Sequence, residues 1–164
     1  MDLVVSSLDR SLPFYRGLLT PLGWRWVHEV EGERGETIHY LIRLDGRGSI
    51  GLREQQSDDS PPHDRYSLGI HHLAINAGSR RGVDRAAGWA QACDVEIESG
   101  PQEYAYVPGY YAVFLDDPDG IKVEVMTTSL LRSFSGRFAR RLRRSAAGTA
   151  DVAAEGVDTL ACGA

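Results

Sequence analysis

Residues 108–125 read PGYYAVFLDDPDGIKVEV, and this stretch decides the fold. Residues 110–115 and 121–126 are rich in aromatic and β-branched side chains, which favour strands. Between them, DPDG at residues 117–120 is typical of a tight turn, because proline presets one turn position and glycine accepts a positive φ. The stretch therefore predicts a β-hairpin whose second strand carries Glu124.

The residues before this hairpin predict a strand and a helix. Residues 69–76, GIHHLAIN, have the composition of a strand. Ser79 is a suitable N-cap for a helix that extends to residue 93, with small and apolar side chains recurring on one face. Residues 95–98 then predict another strand, before a turn at Gly100-Pro101-Gln102. The second half of the chain thus has the order β-α-β-β-β.

The first half gives the same order. Val4 and Val5 favour a strand, and Ser7 can cap a helix in which Pro13 is tolerated because it lies in the first turns. The apolar face of this helix is formed by Leu8, Leu12, Tyr15, Leu18 and Leu19. Strands are predicted at residues 24–30, 37–44 and 49–53, and polar residues 55–68 read as a linker.

This duplication predicts one α+β domain over residues 1–127, with modules at about 2–54 and 69–127. Each half is too small to bury a sheet face and a helix face alone, so the halves are expected to fold together. We expect a cup-shaped sheet with helices on its outer face, which leaves the inner face free for a ligand.

The charge is unevenly distributed. Six of the 18 basic and three of the 23 acidic residues lie from Thr128 onward, so residues 1–127 hold 12 basic and 20 acidic groups, a net charge of −8. An acidic body argues against nucleic acid as its partner. The sequence has neither an apolar run long enough for a transmembrane segment nor a pattern typical of a secretory signal, so we expect a cytoplasmic protein.

The C-terminal region, residues 128–164, has a different character. Leu130, Phe134, Phe138 and Leu142 lie four residues apart with arginines between them, which predicts a basic amphipathic helix. Beyond Ser145 the composition predicts disorder. The helix could dock on its own domain or on a dimer partner, or it could bind an anionic membrane surface or nucleic acid.

Three stretches resemble the vicinal-oxygen-chelate superfamily of glyoxalases, bleomycin-resistance proteins and extradiol dioxygenases. They are residues 6–24, 69–76 and 108–125, which together span most of residues 2–127. The resemblance implies paired β-α-β-β-β modules with divalent metal ligands on the first and last strand of each module. Carried over, it assigns His72 and Glu124 as metal ligands, for Fe, Mn, Ni, Zn or Co. It also implies Glu124 as a catalytic group close enough for proton transfer.

The first module departs from the family pattern. The ligand position of its first strand falls just before Met1, and Gly51 occupies the one in its last strand. Three interpretations stay open: a residue upstream of Met1 supplies the ligand, Asp2 substitutes for it, or the cup works without a metal.

Other residues are predicted to line the cup. The resemblance favours Tyr110 and Phe114 as aromatic walls for a substrate. Asn76 shares a strand face with His72, and Arg53 is a candidate polar contact, whereas His71 is expected on the opposite face.

Two functions fit this pattern. One is a metal-dependent lyase, isomerase or ring-cleaving dioxygenase that acts on a small oxygenated metabolite, provided that the metal site is complete. The other is a metal-free protein that binds or sequesters a drug or metabolite. A homodimer is compatible with both.

Overall fold

A computed structural model describes residues 1–57, 59 and 61–129. The predicted basic helix and the tail after it lie outside the described residues. The first module consists of β1 (Asp2–Val5), α1 (Leu8–Leu19), a short 3-10 turn (Thr20–Leu22), β2 (Trp24–Glu31), β3 (Thr37–Arg43) and β4 (Ser49–Glu54). The second consists of β5 (Leu73–Asn76), α2 (Arg80–Ala92), β6 (Ile97–Glu103), β7 (Tyr111–Asp116) and β8 (Lys122–Thr127).

Each module forms a four-stranded sheet, with the orders β1-β4-β3-β2 and β5-β8-β7-β6. The first strand of each module pairs in parallel with the last, and the other pairs are antiparallel. The predicted duplication and the α+β fold class are confirmed. None of the described helices is long and apolar enough to cross a membrane.

One face of each sheet is buried against the helices. In β1, Leu3 and Val5 are buried whereas Val4 is exposed, which is the alternation of a half-covered sheet. Buried residues of both modules, among them Leu18 of α1 and Val83 of α2, belong to a single apolar cluster. The two modules therefore share one core.

The two helices begin differently. Ser79 caps α2 as predicted, since its Oγ accepts a hydrogen bond from Gly82 N at 3.2 Å. Ser7 makes no such bond in α1. Instead, the carboxylate of Glu54 accepts the Leu8 N–H at 3.2 Å, so the end of β4 supplies the cap.

The predicted turn at residues 100–102 is wrong, because these residues lie inside β6. Gly100 has φ +91°, and a Cβ there would lie 2.4 Å from the carbonyl oxygen of Ala112. Pairing with β7 continues across this point with shifts of register. Glycine thus allows a bulge with close backbone contact, where the sequence suggested a chain reversal.

The modules are joined through the buried carboxylate of Asp117, which is 5% exposed. One oxygen accepts the backbone N–H groups of Asp119 at 2.9 Å and Ile121 at 2.8 Å, which closes the turn before β8. The other accepts the hydroxyl of Tyr15 in α1 at 2.7 Å. Burial raises the pKa of Asp117. Burial and the neighbouring carboxylate of Asp117 both raise the pKa of Tyr15. Three donors therefore offset the cost of burying this group.

Removing the Tyr15 hydroxyl should destabilise the whole domain. Tyr15→Phe leaves a buried carboxylate oxygen without its donor, so the free energy of unfolding should fall by about 1–3 kcal/mol in urea denaturation. Tyr111→Phe is the matched control, because its hydroxyl bonds Asp84 at the surface, and it should change stability by less than about 0.5 kcal/mol. Equal effects of the two variants would contradict this account of the junction.

Candidate functional site

A pocket of about 550 Å³ lies on the sheet face of the second module that is turned away from α2. Among the described residues, its lining comes from this module alone and consists of His71, His72, Glu98, Ser99, Tyr104, Tyr106, Tyr110, Phe114, Lys122 and Glu124. The predicted residues His72, Tyr110, Phe114 and Glu124 therefore come together.

Glu124 lies at the floor of the pocket, in the middle of β8. It pairs with Ala74 in β5 and with Phe114 in β7, and its side chain is 5% exposed. Its Oε2 lies 3.2 Å from Nε2 of His72, and its Oε1 accepts the hydroxyl of Tyr110. Both carboxylate oxygens are therefore engaged by donors of the chain itself.

His71 does not point away from the pocket, so this expectation is wrong. Its Nδ1 lies 2.9 Å from Nδ1 of His72, and both rings line the pocket. The reason is that β5 begins only at Leu73, so strand alternation does not extend to the two histidines. When neutral His72 donates its Nε2–H to Glu124, its Nδ1 is an acceptor, and the partner N–H must come from His71.

Four aromatic rings form one wall. Tyr104 stacks on Tyr106 with centroids 5.6 Å apart and meets Phe114 edge-on at 5.2 Å. Tyr106 also meets Tyr110 edge-on and is 66% exposed, so one of its faces is open at the pocket mouth. Burial and the Glu124 carboxylate raise the pKa of Tyr110, which keeps its hydroxyl a donor.

Lys122 and Glu98 form the opposite edge. Lys122 Nζ lies 2.7 Å from Glu98 and 4.4 Å from the centroid of Phe114. Arg65 of the linker also pairs with Glu98, at 3.1 Å. The hydrogen bond from Lys122 is the main reason why the pKa of Glu98 is lowered. Arg65 also pairs with Asp116 at 3.5 Å, so these two cations and two carboxylates compensate one another and leave the carboxylate of Glu124 as the charge at the pocket floor.

The structure places two predicted substrate contacts outside this pocket. Asn76 follows the pocket strand, but its side-chain oxygen accepts the Gly78 N–H at 2.8 Å and shapes the turn before α2. Arg53 belongs to the sheet of the first module. Conversely, sequence reasoning did not assign His71, Tyr104, Tyr106 or Lys122 to the site. The signals for these residues were the histidine doublet, the tyrosine-rich approach to β7, and the alternation that puts Lys122 on the same strand face as Glu124.

The first module has a different arrangement at the corresponding position. Gly51 pairs with Asp2 and Tyr40, as Glu124 pairs with Ala74 and Phe114 in the second module. A Cβ on Gly51 would lie 2.7 Å from the carboxylate of Asp2. Glycine at residue 51 thus makes room for the Asp2 carboxylate.

The Asp2 carboxylate already has a cation. Arg53 Nη2 lies 2.8 Å from it, and the same guanidinium contacts Glu36 at 2.6 Å and Glu33 at 3.2 Å. The Tyr40 hydroxyl lies 3.3 Å from Asp2. An arginine therefore occupies the centre of the carboxylates in this module.

These donors do not fit a catalytic metal centre. Such a centre usually takes three protein ligands, and His72 with Glu124 provides two. Within residues 1–57, 59 and 61–129, no group of three His, Cys, Asp or Glu side chains could hold a metal ion. Asp2 is neutralised by Arg53, so it does not complete the set.

The family model described as Glyoxalase/Bleomycin resistance protein/Dioxygenase superfamily matches residues 1–125. The chain belongs to this superfamily. It is also 28% identical over 134 residues to the uncharacterised protein YqjT of Bacillus subtilis (strain 168), a match that covers 79% of this chain and 97% of YqjT.

Solved structures of the superfamily share the fold. A glyoxylase/bleomycin resistance protein/dioxygenase domain from Frankia sp. EAN1pec matches with a TM-score of 0.65 and 23% identity, over 78% of this chain and 94% of that one. The fosfomycin resistance protein FosX of Listeria monocytogenes, complexed with Mn(II) and sulfate, matches with a TM-score of 0.53 and 15% identity, over 81% of this chain and 93% of FosX. Lactoylglutathione lyase from Agrobacterium tumefaciens matches with a TM-score of 0.53 and 22% identity, over 80% of this chain and 92% of the lyase. At these identities the likeness concerns the fold.

Proposed function

We propose that this member of the superfamily binds a small molecule in the pocket of its second module without a metal ion. The observation that carries the proposal is the engagement of both oxygens of Glu124. Oε1 accepts the hydroxyl of Tyr110, and Oε2 lies 3.2 Å from Nε2 of His72. A metal held by Glu124 and His72 would replace the contact between these two side chains and would still lack a third ligand among the residues that the structure describes. The predicted set of Fe, Mn, Ni, Zn or Co therefore has little support in the donors present.

The pocket favours a ligand with a flat part and a polar part. The exposed face of Tyr106 and the edge of Phe114 suit a planar group. His71 offers its Nε2 to an oxygen or nitrogen atom of a ligand, because its Nδ1 and both ring nitrogens of His72 are engaged within the chain. A volume of about 550 Å³ suits a metabolite or drug of modest size. Tyr110 and Phe114 keep their proposed role as walls, and Tyr110 in addition holds the carboxylate.

A metal-dependent enzyme is the second candidate, and one observation favours it. The Met1 carbonyl oxygen accepts the Gly51 N–H at 2.9 Å, so the strand pairing already includes Met1. A residue preceding Met1 would share the face of Asp2 by alternation and could add a ligand. In that case Glu124 and His72 would be ligands in lyase, isomerase or dioxygenase chemistry on a small oxygenated metabolite.

Metal analysis and ligand binding together test the proposal. Protein purified without chelators should contain less than about 0.1 equivalent of Fe, Mn, Ni, Zn or Co and should gain none on reconstitution. Ligand-observed NMR with small planar phenols, carboxylic acids and amides in EDTA should find binders. Tyr106→Ala should weaken them about tenfold, through the loss of stacking.

The control for this experiment is Trp26→Ala, which removes a partly exposed aromatic ring of the first module. It should leave binding unchanged. One equivalent of bound metal that disappears in Glu124→Gln, or ligands that bind only when metal is added, would favour the enzyme instead.

We also propose that a second copy of the chain covers the pocket. No residue of the first module of the same chain lines it. Exposed apolar side chains lie on both modules, namely Tyr106 and Val107 beside the pocket and Val4 on the uncovered face of β1. A two-fold arrangement can bury the first module of one copy against the second module of the other.

Val4 tests this arrangement, because its side chain is 59% exposed on the face that would be covered. Val4→Asp should shift sedimentation from dimer to monomer at micromolar concentration, since an unpaired charge in an interface core costs several kcal/mol. Leu44→Asp, at a turn position that is 69% exposed, should leave the dimer intact. A wild-type protein that sediments as a monomer would rule the dimer out.

A further inference from the structure

A second cavity, of about 620 Å³, lies on the helical side of the molecule, away from the ligand pocket. It runs along α1 and past the end of α2, and we call it the helix groove. Its apolar lining includes Leu8, Leu12, Phe14, Trp89 and Val95. Leu8, Leu12 and Trp89 are only partly buried, so the groove exposes apolar surface that the domain does not cover itself.

The charges at the groove are negative at one end. Its two cationic neighbours are engaged elsewhere, since Arg10 pairs with Asp119 at 3.1 Å and Arg16 lies 5.1 Å from the ring centroid of Trp26. By contrast, Asp9, Asp94 and Glu96 are exposed and form no ion pair within the part of the chain that the structure describes. They lie beside Leu8 and Val95, at the end of the groove where α1 begins.

The chain carries a segment that complements this groove. Residues 130–144, LLRSFSGRFARRLRR, hold six arginines and no acidic residue, next to a body of net charge −8. The apolar residues Leu130, Phe134, Phe138 and Leu142 recur every four residues, which places them along one face if the segment is helical. Four of the six arginines lie in its last five residues.

The end of β8 lies at the end of the domain where α1 also ends. The Ala77 N–H bonds the Met126 carbonyl oxygen, so β8 ends beside the start of α2. Arg85 of α2 contacts the carbonyl oxygen of Pro21, which places the end of α1 at the same end of the molecule. From there the groove extends back along α1, whose 12 residues span about 18 Å. A helix of residues 130–144 would span about 22 Å.

We propose that residues 130–144 dock in the helix groove of their own chain as an amphipathic helix antiparallel to α1. The apolar residues cover Leu12 and Trp89, and the arginines at residues 140–144 reach Asp9, Asp94 and Glu96. The docked segment covers the back of the domain, so this inference does not rest on the function of the pocket.

Substitutions in the segment of the full-length protein test the docking without touching the described core. With 5-fluorotryptophan incorporated, the ¹⁹F resonance of Trp89, assigned through Trp89→Phe, should shift in Phe134→Glu/Phe138→Glu. Ser133→Glu/Ala139→Glu adds the same charge at positions that lie off the apolar stripe of a helix, and it should leave that resonance unchanged. Neither double variant should shift the resonance of Trp24. A Trp89 resonance that is the same in the wild type and in all variants would overturn the proposal. A resonance whose position depends on protein concentration would also overturn it, because that result assigns the groove to another copy of the chain.

Hydrogen exchange provides the reciprocal test from the groove side. In the wild-type chain the amides of residues 130–144 should be protected, and Leu12→Arg should speed their exchange at least about tenfold. The amides of β7 and β8 report that the domain remains folded. Fast exchange of the segment in the wild type, or unchanged protection in folded Leu12→Arg, would also overturn the docking.

Discussion

The buried carboxylate of Asp117 is the constraint on which the rest of the structure depends. Its hydrogen bonds close the turn that starts β8, and they tie that turn to Tyr15 in the helix of the other module. Burying a carboxylate is costly unless donors surround it, so this geometry is specific. Because β8 starts at a fixed point, Glu124 faces the pocket and not the core. The contact that joins the modules therefore also sets the site.

The two modules have used the same position in opposite ways. In the second, Glu124 extends into a pocket and is held by Tyr110 and His72. In the first, Gly51 leaves the space to Asp2, which Arg53 neutralises. A guanidinium is a permanent cation, so the first module satisfies its carboxylates without a metal. The duplicated scaffold thus retains one topology, while the residues at this position differ in their role between the two modules.

Much of the fold could be predicted from the sequence, because strand and helix periodicity and the turn at residues 117–120 are local signals. The approach of His72 to Glu124 followed from the resemblance and not from strand alternation, because His72 lies just before β5. The position of His71 could not be predicted, because the alternation of side chains between the two sheet faces ends where hydrogen bonding to β8 ends. The roles of Arg53 and Asn76 depended on which partners lie nearby. Arg53 pairs with Asp2 and two glutamates. The side-chain oxygen of Asn76 accepts a backbone N–H group of a turn. Such choices arise from tertiary contacts that no spacing rule contains. The function of the site stays a proposal.

In our proposal His72 and Tyr110, and not a metal ion, engage the carboxylate of Glu124. The most direct measurement is ¹⁵N NMR of the histidine side chains in the full-length protein at about pH 8, where histidines are ordinarily neutral. We predict that His72 carries its proton on Nε2, that Glu124→Gln alters this tautomer signal, and that one equivalent of Zn²⁺ leaves the wild-type spectrum unchanged. An unprotonated Nε2 whose resonance moves stoichiometrically with Zn²⁺ would contradict the account.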